Sequence, residues 1–458
     1  MARIAILHGW SDHSDSFRPL SKFLIGNGMA PTPIWLGDYP SMDDDVRIED
    51  VAKRLDVAIK EKLASGDLDN PFDMIVHSTG GLIVRSWLAQ YFPEGKSSPL
   101  KRLIMLAPAN FGSKLASTGK SMLGRLTKGW DNWFHTGTEM LNALELASPY
   151  QWNLAQHDLF GLGSPIYREK GVWPFVIMGS HPYTSAIRRI VNENGSDGTI
   201  RVSAANLNVR GITVDFAANE GDPRLTPWPF RDPSLRIPFA VLPNRSHGSI
   251  IDQSAPDTKV APLPDGDVGD LILAALRAND FSAYQSLATS WAALTDQTAT
   301  RNDPDPEYFH QYFQVIVRVV DDHGNDVTDY FVEFFDRTIN GEDETVLLHR
   351  KVIEDVHTNK ISPSYRCFFV DYTDLINLYY ETDFGGKRPT EVVMSLSAAP
   401  PGKNVQYFED SAKGALGQIV VHSKDGAKGF FTPNQTHLVK IIIPRNPHSN
   451  VFRFVSQP

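Results

Sequence analysis

The chain of 458 residues has little cysteine and no long apolar run. The single cysteine, Cys367, excludes an intramolecular disulfide and a cluster of thiolate metal ligands. No stretch approaches the roughly 18 uninterrupted apolar residues of a membrane-spanning helix. The apolar start at residues 4–7 ends at His8 and is shorter than a signal-peptide core of roughly 7 to 15 residues. We therefore expect a soluble protein, either cytoplasmic or exported without a leader.

Basic residues are outnumbered, with 44 Lys and Arg against 54 Asp and Glu, giving a net charge of −10. Duplex nucleic acid is bound largely by neutralising its phosphates, so this composition argues against a nucleic-acid partner. The sequence also lacks a G-x-G-x-x-G run after a strand and a P-loop. The acidic run 265–270 lacks the spacing of a Ca²⁺ loop. We predict no cofactor and no metal.

The hydrophobic fraction of 41% is sufficient for a sizeable core. Up to about residue 297, short apolar runs alternate with helix-period stretches, which is typical of a largely parallel α/β sheet. The aromatic, helix-prone stretch 112–171 is too long for an ordinary connection and is predicted to be a helical insertion. The predicted strands are 3–7, 30–36, 72–76, 103–106, 175–178, 210–216 and 237–242, and the first two predicted helices are 48–64 and 81–91.

A polar, proline-containing linker at 298–306 marks a domain boundary, after which the periodicity becomes alternating. We therefore predict an α/β domain over 1–297 and a β-rich accessory domain over 307–458. Residues 313–319 are predicted to form a strand, and 332–335 its partner after the turn at 321–325. With further strands predicted at 365–370, 391–396, 418–422, 438–443 and 451–455, the second domain is expected to be an antiparallel β-sandwich.

Residues 72–81, FDMIVHSTGG, carry the strongest chemical signal: a strand followed at once by Ser78, two glycines and an amphipathic helix. This order is typical of a nucleophile elbow, in which a sharp turn projects a serine hydroxyl towards a base and the N–H groups of a helix start. The alternative is that Ser78 only caps the helix. A cap does not need Gly80 and Gly81, each of which costs up to about 1 kcal/mol relative to Ala in a helix. Val76 departs from the usual G-x-S-x-G pattern.

An acyl-transfer site also needs two backbone N–H groups for the developing oxyanion. The amide of Thr79, which follows the serine, is one candidate. The first strand ends in His8 and Gly9, and the amide of Trp10 is the natural second candidate. The alternative is a plain turn at the end of this strand.

The candidate base is His247, which lies on the loop after the strand predicted at 237–242. His181, which follows another strand, is its rival. The candidate acid is Asp197, on a glycine-flanked loop between Ser78 and His247, although such a loop can be a mere turn. Asp222 is the next candidate acid, and Asp215 lies inside a strand-like run.

Five short runs stand out together: LHGW at 7–10, VHSTGG at 76–81, LAPANFGS at 106–113, GSDGT at 195–199 and SHG at 246–248. As a set they resemble the lipase and esterase branch of the α/β-hydrolase superfamily, and are most similar to bacterial lipases and lipid-anchor deacylases. The resemblance covers about residues 1–297 and gives no account of the C-terminal domain.

The resemblance implies a compact α/β-hydrolase without the leading antiparallel hairpin of larger members. It also implies that the insertion at 112–171 is a lid or a wall of the acyl site, in which Trp130, Trp133 and Phe134 would contact substrate. The alternative is a set of helices packed permanently on the sheet.

The sequence thus predicts a serine hydrolase of carboxylic esters, an esterase or lipase, with Ser78, His247 and Asp197 as its triad. A phospholipase, thioesterase or acyltransferase on the same fold is the alternative. Another is a lipase-type toxin or effector whose C-terminal domain directs it to a membrane surface, a glycan or a delivery machine. The expected partner is an ester or lipid substrate. The sequence makes no prediction about whether the protein is a monomer or an oligomer.

Overall fold

The computed structural model describes residues 3–7, 14–34, 45–93, 96–117, 137–160, 165–183, 192–218, 223–230, 232–256, 259–302, 305–339, 341–407, 418–426, 429–448 and 451. The chain forms two compact units. The first comprises Met1–Asn208 and Pro229–Gln311, and the second Val209–Trp228 and Tyr312–Pro458.

The strands are numbered in chain order. They are β1 (Arg3–Leu7), β2 (Ala30–Ile34), β3 (Phe72–His77), β4 (Leu100–Leu106), β5 (Trp173–Gly179), β6 (Arg210–Asp215), β7 (Arg224–Pro227), β8 (Phe239–Leu242), β9 (Tyr312–Asp321), β10 (Tyr330–Phe335), β11 (Ile353–Thr358), β12 (Tyr365–Asp371), β13 (Glu391–Ala398), β14 (Val405–Gln406), β15 (Ile419–Ser423), β16 (Thr436–Ile443) and β17 (Asn446–Pro447).

The α-helices are numbered in the same way, and short 3-10 and π-helical turns are left unnumbered. They are α1 (Arg18–Gly26), α2 (Ile48–Ser65), α3 (Thr79–Tyr91), α4 (Lys114–Ser117), α5 (Thr138–Leu144), α6 (Pro149–Asp158), α7 (Val202–Ala205), α8 (Val268–Arg277), α9 (Phe281–Ala299), α10 (Glu342–Leu347) and α11 (Tyr372–Asp374). Among the described helices, none is both long and apolar enough to cross a bilayer.

The first unit contains a six-stranded sheet in the order β2, β1, β3, β4, β5, β8, and each of these neighbours is paired in parallel. The central strands are almost entirely buried and apolar, as expected when helices cover both faces of a parallel sheet. Parallel strands point their carboxyl ends to the same edge, so the segments that follow β3, β5 and β8 are brought together there. The predicted α/β architecture is confirmed.

Helices α4, α5 and α6 lie within the insertion predicted at 112–171, and their described residues are helical as expected. Trp130, Trp133 and Phe134, the predicted substrate contacts, lie outside the described residues.

The second unit has a mixed six-stranded sheet in the order β11, β12, β9, β16, β6, β7 and a three-stranded sheet in the order β10, β13, β15. Residues from both sheets share one hydrophobic core, which gives a sandwich-like domain. The predicted sandwich-like domain is confirmed, but the prediction that its strands are antiparallel is wrong for β16, which pairs in parallel with both β9 and β6. The predicted hairpin is also wrong, because β9 and β10 lie in different sheets. The strand predicted at 451–455 falls almost wholly outside the described residues.

The predicted continuous first domain, 1–297, is interrupted in the structure. The strand expected at 210–216 does form, as β6, but it pairs with β16 and not with the sheet of the first unit. With β7 antiparallel to it, the segment 209–228 belongs to the second unit. The first unit also continues to Gln311, past the linker expected at 298–306.

A fully buried ion pair holds α3 against α6. Arg85 donates from Nε and Nη2 to the two carboxylate oxygens of Asp158, at 2.7 and 3.1 Å, and from Nη1 to the backbone oxygen of Asn110 at 3.0 Å. Tyr167 also donates to Asp158, at 3.3 Å. Burial alone would lower the pKa of Arg85, but the Asp158 carboxylate outweighs it and holds the pKa above its usual range.

We expect Asp158→Asn to lower the free energy of unfolding by about 3 to 5 kcal/mol, because it leaves the Arg85 guanidinium buried without its counter-ion. Urea unfolding followed by circular dichroism measures the change. Asp67→Asn, which removes the exposed partner of Lys62, is the matched control and should unfold like the wild type. Equal stability of the two variants would contradict a structural role for the buried pair.

Candidate active site

Ser78 lies at a sharp corner between β3 and α3. Its backbone has φ 53° and ψ −126°, a conformation that residues other than glycine rarely adopt. Its N–H donates to the Leu106 oxygen at 3.0 Å, so the corner is tied to the end of β4. Within the described residues, its hydroxyl makes no capping bond to α3. The corner forms although Val76, buried in β3, replaces the usual glycine.

The segment after β4 packs directly under this corner. The Ala109 N–H donates to the Ser78 oxygen at 3.2 Å. A Cβ on Gly81 would lie 2.8 Å from the Cβ of Pro108, which is too close for two carbon atoms. Gly81 is therefore required by the approach of this segment, and the serine and the loop after β4 form one packed structure.

Three predicted site residues from distant parts of the first unit meet at the carboxyl edge of the sheet. The Nε2 atom of His247 lies 3.1 Å from the Oγ of Ser78, and its Nδ1 lies 2.8 Å from Oδ2 of Asp197. Because a carboxylate only accepts, Nδ1 carries the proton, and Nε2 is left to accept from the serine hydroxyl. All three side chains are buried.

The loop of Asp197 is shaped around its own carboxylate. Oδ1 accepts the backbone N–H groups of Thr199 at 2.9 Å and Ile200 at 2.8 Å, which leaves Oδ2 directed at the ring of His247. The carbonyl of Thr199 is fixed in turn by the hydroxyl of Ser113, at 2.9 Å. The orientation of the carboxylate is thus set by backbone donors.

Glu193 also helps to hold the loop of Asp197. It accepts two bonds from the buried Arg201, each of 2.8 Å, and one of 2.7 Å from Lys114 on α4. Burial alone would raise the pKa of Glu193, but the charges of Arg201 and Lys114 outweigh it and hold the pKa below its usual range. An ionised Glu193 therefore joins the start of the insertion to the Asp197 loop.

The rival residues that the structure describes are bonded to other groups. The Nδ1 of His181 bonds to the carbonyl oxygen of Pro182, at 2.8 Å. Asp215 lies at the end of β6 in the second unit and bonds to Arg224 at 2.7 Å. Asp222 lies outside the described residues. In the acidic run 265–270, Asp267 caps α8 through the Gly269 N–H and contacts Arg245.

Of the two predicted oxyanion donors, Thr79 and Trp10, the structure describes only Thr79. Thr79 is buried and is the first residue of α3, where helix N–H groups have no acceptor inside the helix. Trp10 lies outside the described residues. The sequence prediction missed His77, whose ring bonds to the backbone of His247. Its only signal was its place directly before the serine.

The chain resembles solved structures over nearly its whole length. The phospholipase PlaB from Legionella pneumophila superposes with a TM-score of 0.79 at 25% identity, covering 99% of this chain and 96% of that one. The complex of PlaB with thio-NAD gives 0.77 at 25% identity, with 100% and 96% covered. The chain has the α/β-hydrolase fold of lipases and esterases.

Another solved structure matches less of this chain. The metagenomic carboxyl esterase MGS0156 shares 18% identity, with 45% of this chain and 60% of that one covered and a TM-score of 0.34. No protein-family profile matches the chain, and no curated protein sequence matches it. The α/β-hydrolase assignment predicted from five short runs is confirmed by structure.

We expect Glu193→Gln to lower the free energy of unfolding by about 3 kcal/mol near pH 7, because Arg201 stays buried without its counter-ion. A carboxyl whose pKa is lowered by folding stabilises above its unfolded value of 4.5 and loses this contribution as the pH falls through its folded value. The difference between wild type and variant in urea unfolding should therefore shrink below about pH 4.5. Glu61→Gln, which neutralises an exposed carboxyl on α2, is the control and should unfold like the wild type at each pH. A penalty that does not change with pH would contradict the assignment.

Proposed function

We propose that this α/β-hydrolase cleaves carboxylic esters of lipids through an acyl-enzyme on Ser78. The observation that carries the proposal is the continuous relay from the Ser78 hydroxyl through the His247 ring to the Asp197 carboxylate, with links of 3.1 and 2.8 Å. A serine hydroxyl is a weak nucleophile until a neighbouring base accepts its proton. This relay supplies both the base and the group that orients it.

In the first half of the proposed reaction, Oγ of Ser78 attacks the ester carbonyl while Nε2 of His247 takes its proton. The Asp197 carboxylate stabilises the resulting imidazolium. The amides of Thr79 and Trp10 are the proposed donors to the negative oxygen of the tetrahedral intermediate. When this intermediate collapses, the bond to the alcohol breaks, and His247 returns the proton to the departing oxygen.

In the second half, water replaces the alcohol. His247 takes one proton from the water as its oxygen attacks the acyl carbonyl, and a second tetrahedral intermediate forms. The bond to Oγ then breaks, the fatty acid leaves, and the proton held by Nε2 returns to Ser78. Water is consumed, and the enzyme ends in its starting state.

The substrate class is inferred from the comparison with a named enzyme. PlaB is a phospholipase, and its likeness extends over both units of this chain with a TM-score of 0.79. A shared accessory domain supports a similar class of substrate more strongly than the hydrolase fold would alone, because one fold hosts many reactions. We therefore propose phospholipids as substrates, with the fatty-acid ester as the bond that is cleaved.

We expect Ser78→Ala to abolish fatty-acid release from phosphatidylcholine and phosphatidylglycerol vesicles and hydrolysis of p-nitrophenyl esters. The circular dichroism spectrum and melting temperature should stay close to those of the wild type. Ser65→Ala, at the exposed end of α2, is the control and should keep full activity. Turnover by Ser78→Ala at the wild-type rate would refute the proposal. If the wild-type enzyme hydrolysed p-nitrophenyl esters but released no fatty acid from the vesicles, the proposal would be restricted to simple esters.

Asp197→Asn tests the acid through the tautomer of His247. The N–H groups of Thr199 and Ile200 keep the amide oxygen at the Oδ1 position, so the new NH₂ group faces Nδ1. Nδ1 must then accept, the proton moves to Nε2, and the ring can no longer take the proton of Ser78. We expect kcat to fall by roughly 10⁴-fold.

Steady-state kinetics on a p-nitrophenyl ester measure this loss, with Asp215→Asn as the matched control. Asp215 bonds to Arg224 in the second unit, and its replacement should leave kcat unchanged. If Asp197→Asn were fully active and Asp222→Asn were not, the acid would be Asp222.

A further inference from the structure

His77, the last residue of β3, is buried directly before Ser78, and the proposed reaction steps give it no role. In a regular strand, two successive side chains point to opposite faces of the sheet. The left-handed turn at Ser78 ends this alternation, with φ at 53°. As a result, the side chains of His77 and Ser78, which are adjacent in the chain, both bond to His247.

The ring of His77 is bonded to the main chain of His247. Its Nε2 lies 3.0 Å from the backbone oxygen of His247, and because a carbonyl oxygen only accepts, Nε2 carries the proton and donates it. The backbone N–H of His247 donates to the backbone oxygen of Asp197, also at 3.0 Å. The main chain of the base is therefore held on one side by the residue before the nucleophile and on the other by the acid.

The two imidazole rings also pack against each other. Their centroids are 4.7 Å apart and their planes are tilted by 42°. Phe17 meets the His77 ring edge-on, with centroids 6.0 Å apart. The packed ring fills space beside His247, and its N–H fixes the point from which the side chain of His247 extends.

We propose that His77 is a positioning residue for the reaction on Ser78, holding the backbone of His247 so that Nε2 stays within reach of the serine hydroxyl. This inference rests on the proposed function. Proton transfer depends steeply on geometry, and a misplacement of about 1 Å can cost roughly 100-fold in rate. Loss of the N–H bond should therefore lower kcat and leave KM nearly unchanged, since His77 has no proposed contact with substrate.

A matched pair of variants isolates the bond from the packing of the ring. In His77→Gln the amide nitrogen extends about as far from Cβ as Nε2 does and can donate to the same carbonyl. In His77→Asn it corresponds to Nδ1 and falls short. Both variants lose the aromatic ring, so a difference between them reports on the N–H bond.

We expect the asparagine variant to lose about 10- to 100-fold in kcat with KM within about twofold of wild type, and the glutamine variant to recover most of the loss. The rate of Ser78 labelling by a fluorophosphonate should follow the same order, since it needs no ester substrate. The melting temperature of the asparagine variant should lie at most a few degrees below that of the glutamine variant, because only one buried hydrogen bond differs between them. His422→Asn, which removes a buried histidine ring of the second unit, is the control and should label at nearly the wild-type rate.

Equal kcat and equal labelling rates for the glutamine and asparagine variants would overturn the inference, whether both were active or both impaired. So would a rise in KM without a fall in kcat. An inactive Ser78→Ala together with such equality would refute the role of His77 alone. A fully active Ser78→Ala would refute the proposed function, and the role of His77 with it.

Discussion

The site depends on one backbone constraint, the left-handed conformation of Ser78. A serine in regular strand geometry would point to one face of the sheet, and its hydroxyl would not be presented at the carboxyl edge to the ring of His247, which lies on the loop after β8. The structure maintains this unfavourable conformation by packing on both sides. The Ser78 N–H is bound to the end of β4, its carbonyl accepts from Ala109, and Gly81 lets Pro108 approach. Strain of this kind persists only where the surroundings enforce it.

The loop of Asp197 is also held in place by bonds from the surrounding residues. Two backbone N–H groups orient the Asp197 carboxylate, and the Ser113 hydroxyl donates to the carbonyl of Thr199. Glu193, which precedes Asp197 in the chain, forms ion pairs with Arg201 and Lys114. Ser113 and Lys114 directly follow the segment that packs under Ser78. The loops after β4 and β5 are therefore interlocked, and the nucleophile and the acid are positioned by one shared network of bonds.

Local signals in the sequence predicted what depends on local physics. The strand, turn and glycines around Ser78, and the strand-end loops of Asp197 and His247, are short-range features that the sequence carries directly. The placement of β6 could not be found in this way, because an apolar strand pattern is the same whichever sheet it joins. The separation of β9 from β10 was missed for the same reason. His77 was overlooked because its bond is to a backbone atom 170 positions away in the chain, which no side-chain pattern records.

The sheet of the second unit also has a consequence for synthesis. Strand β6 emerges from the ribosome well before its parallel partner β16, which follows roughly 220 residues later. At elongation rates of about 5 to 20 residues per second, β6 waits on the order of ten seconds or more before it can be covered. During that interval β6 lacks the strand that pairs with the N–H and C=O groups along one of its edges. The sheet of the second unit can therefore be completed only after β16 has been synthesised.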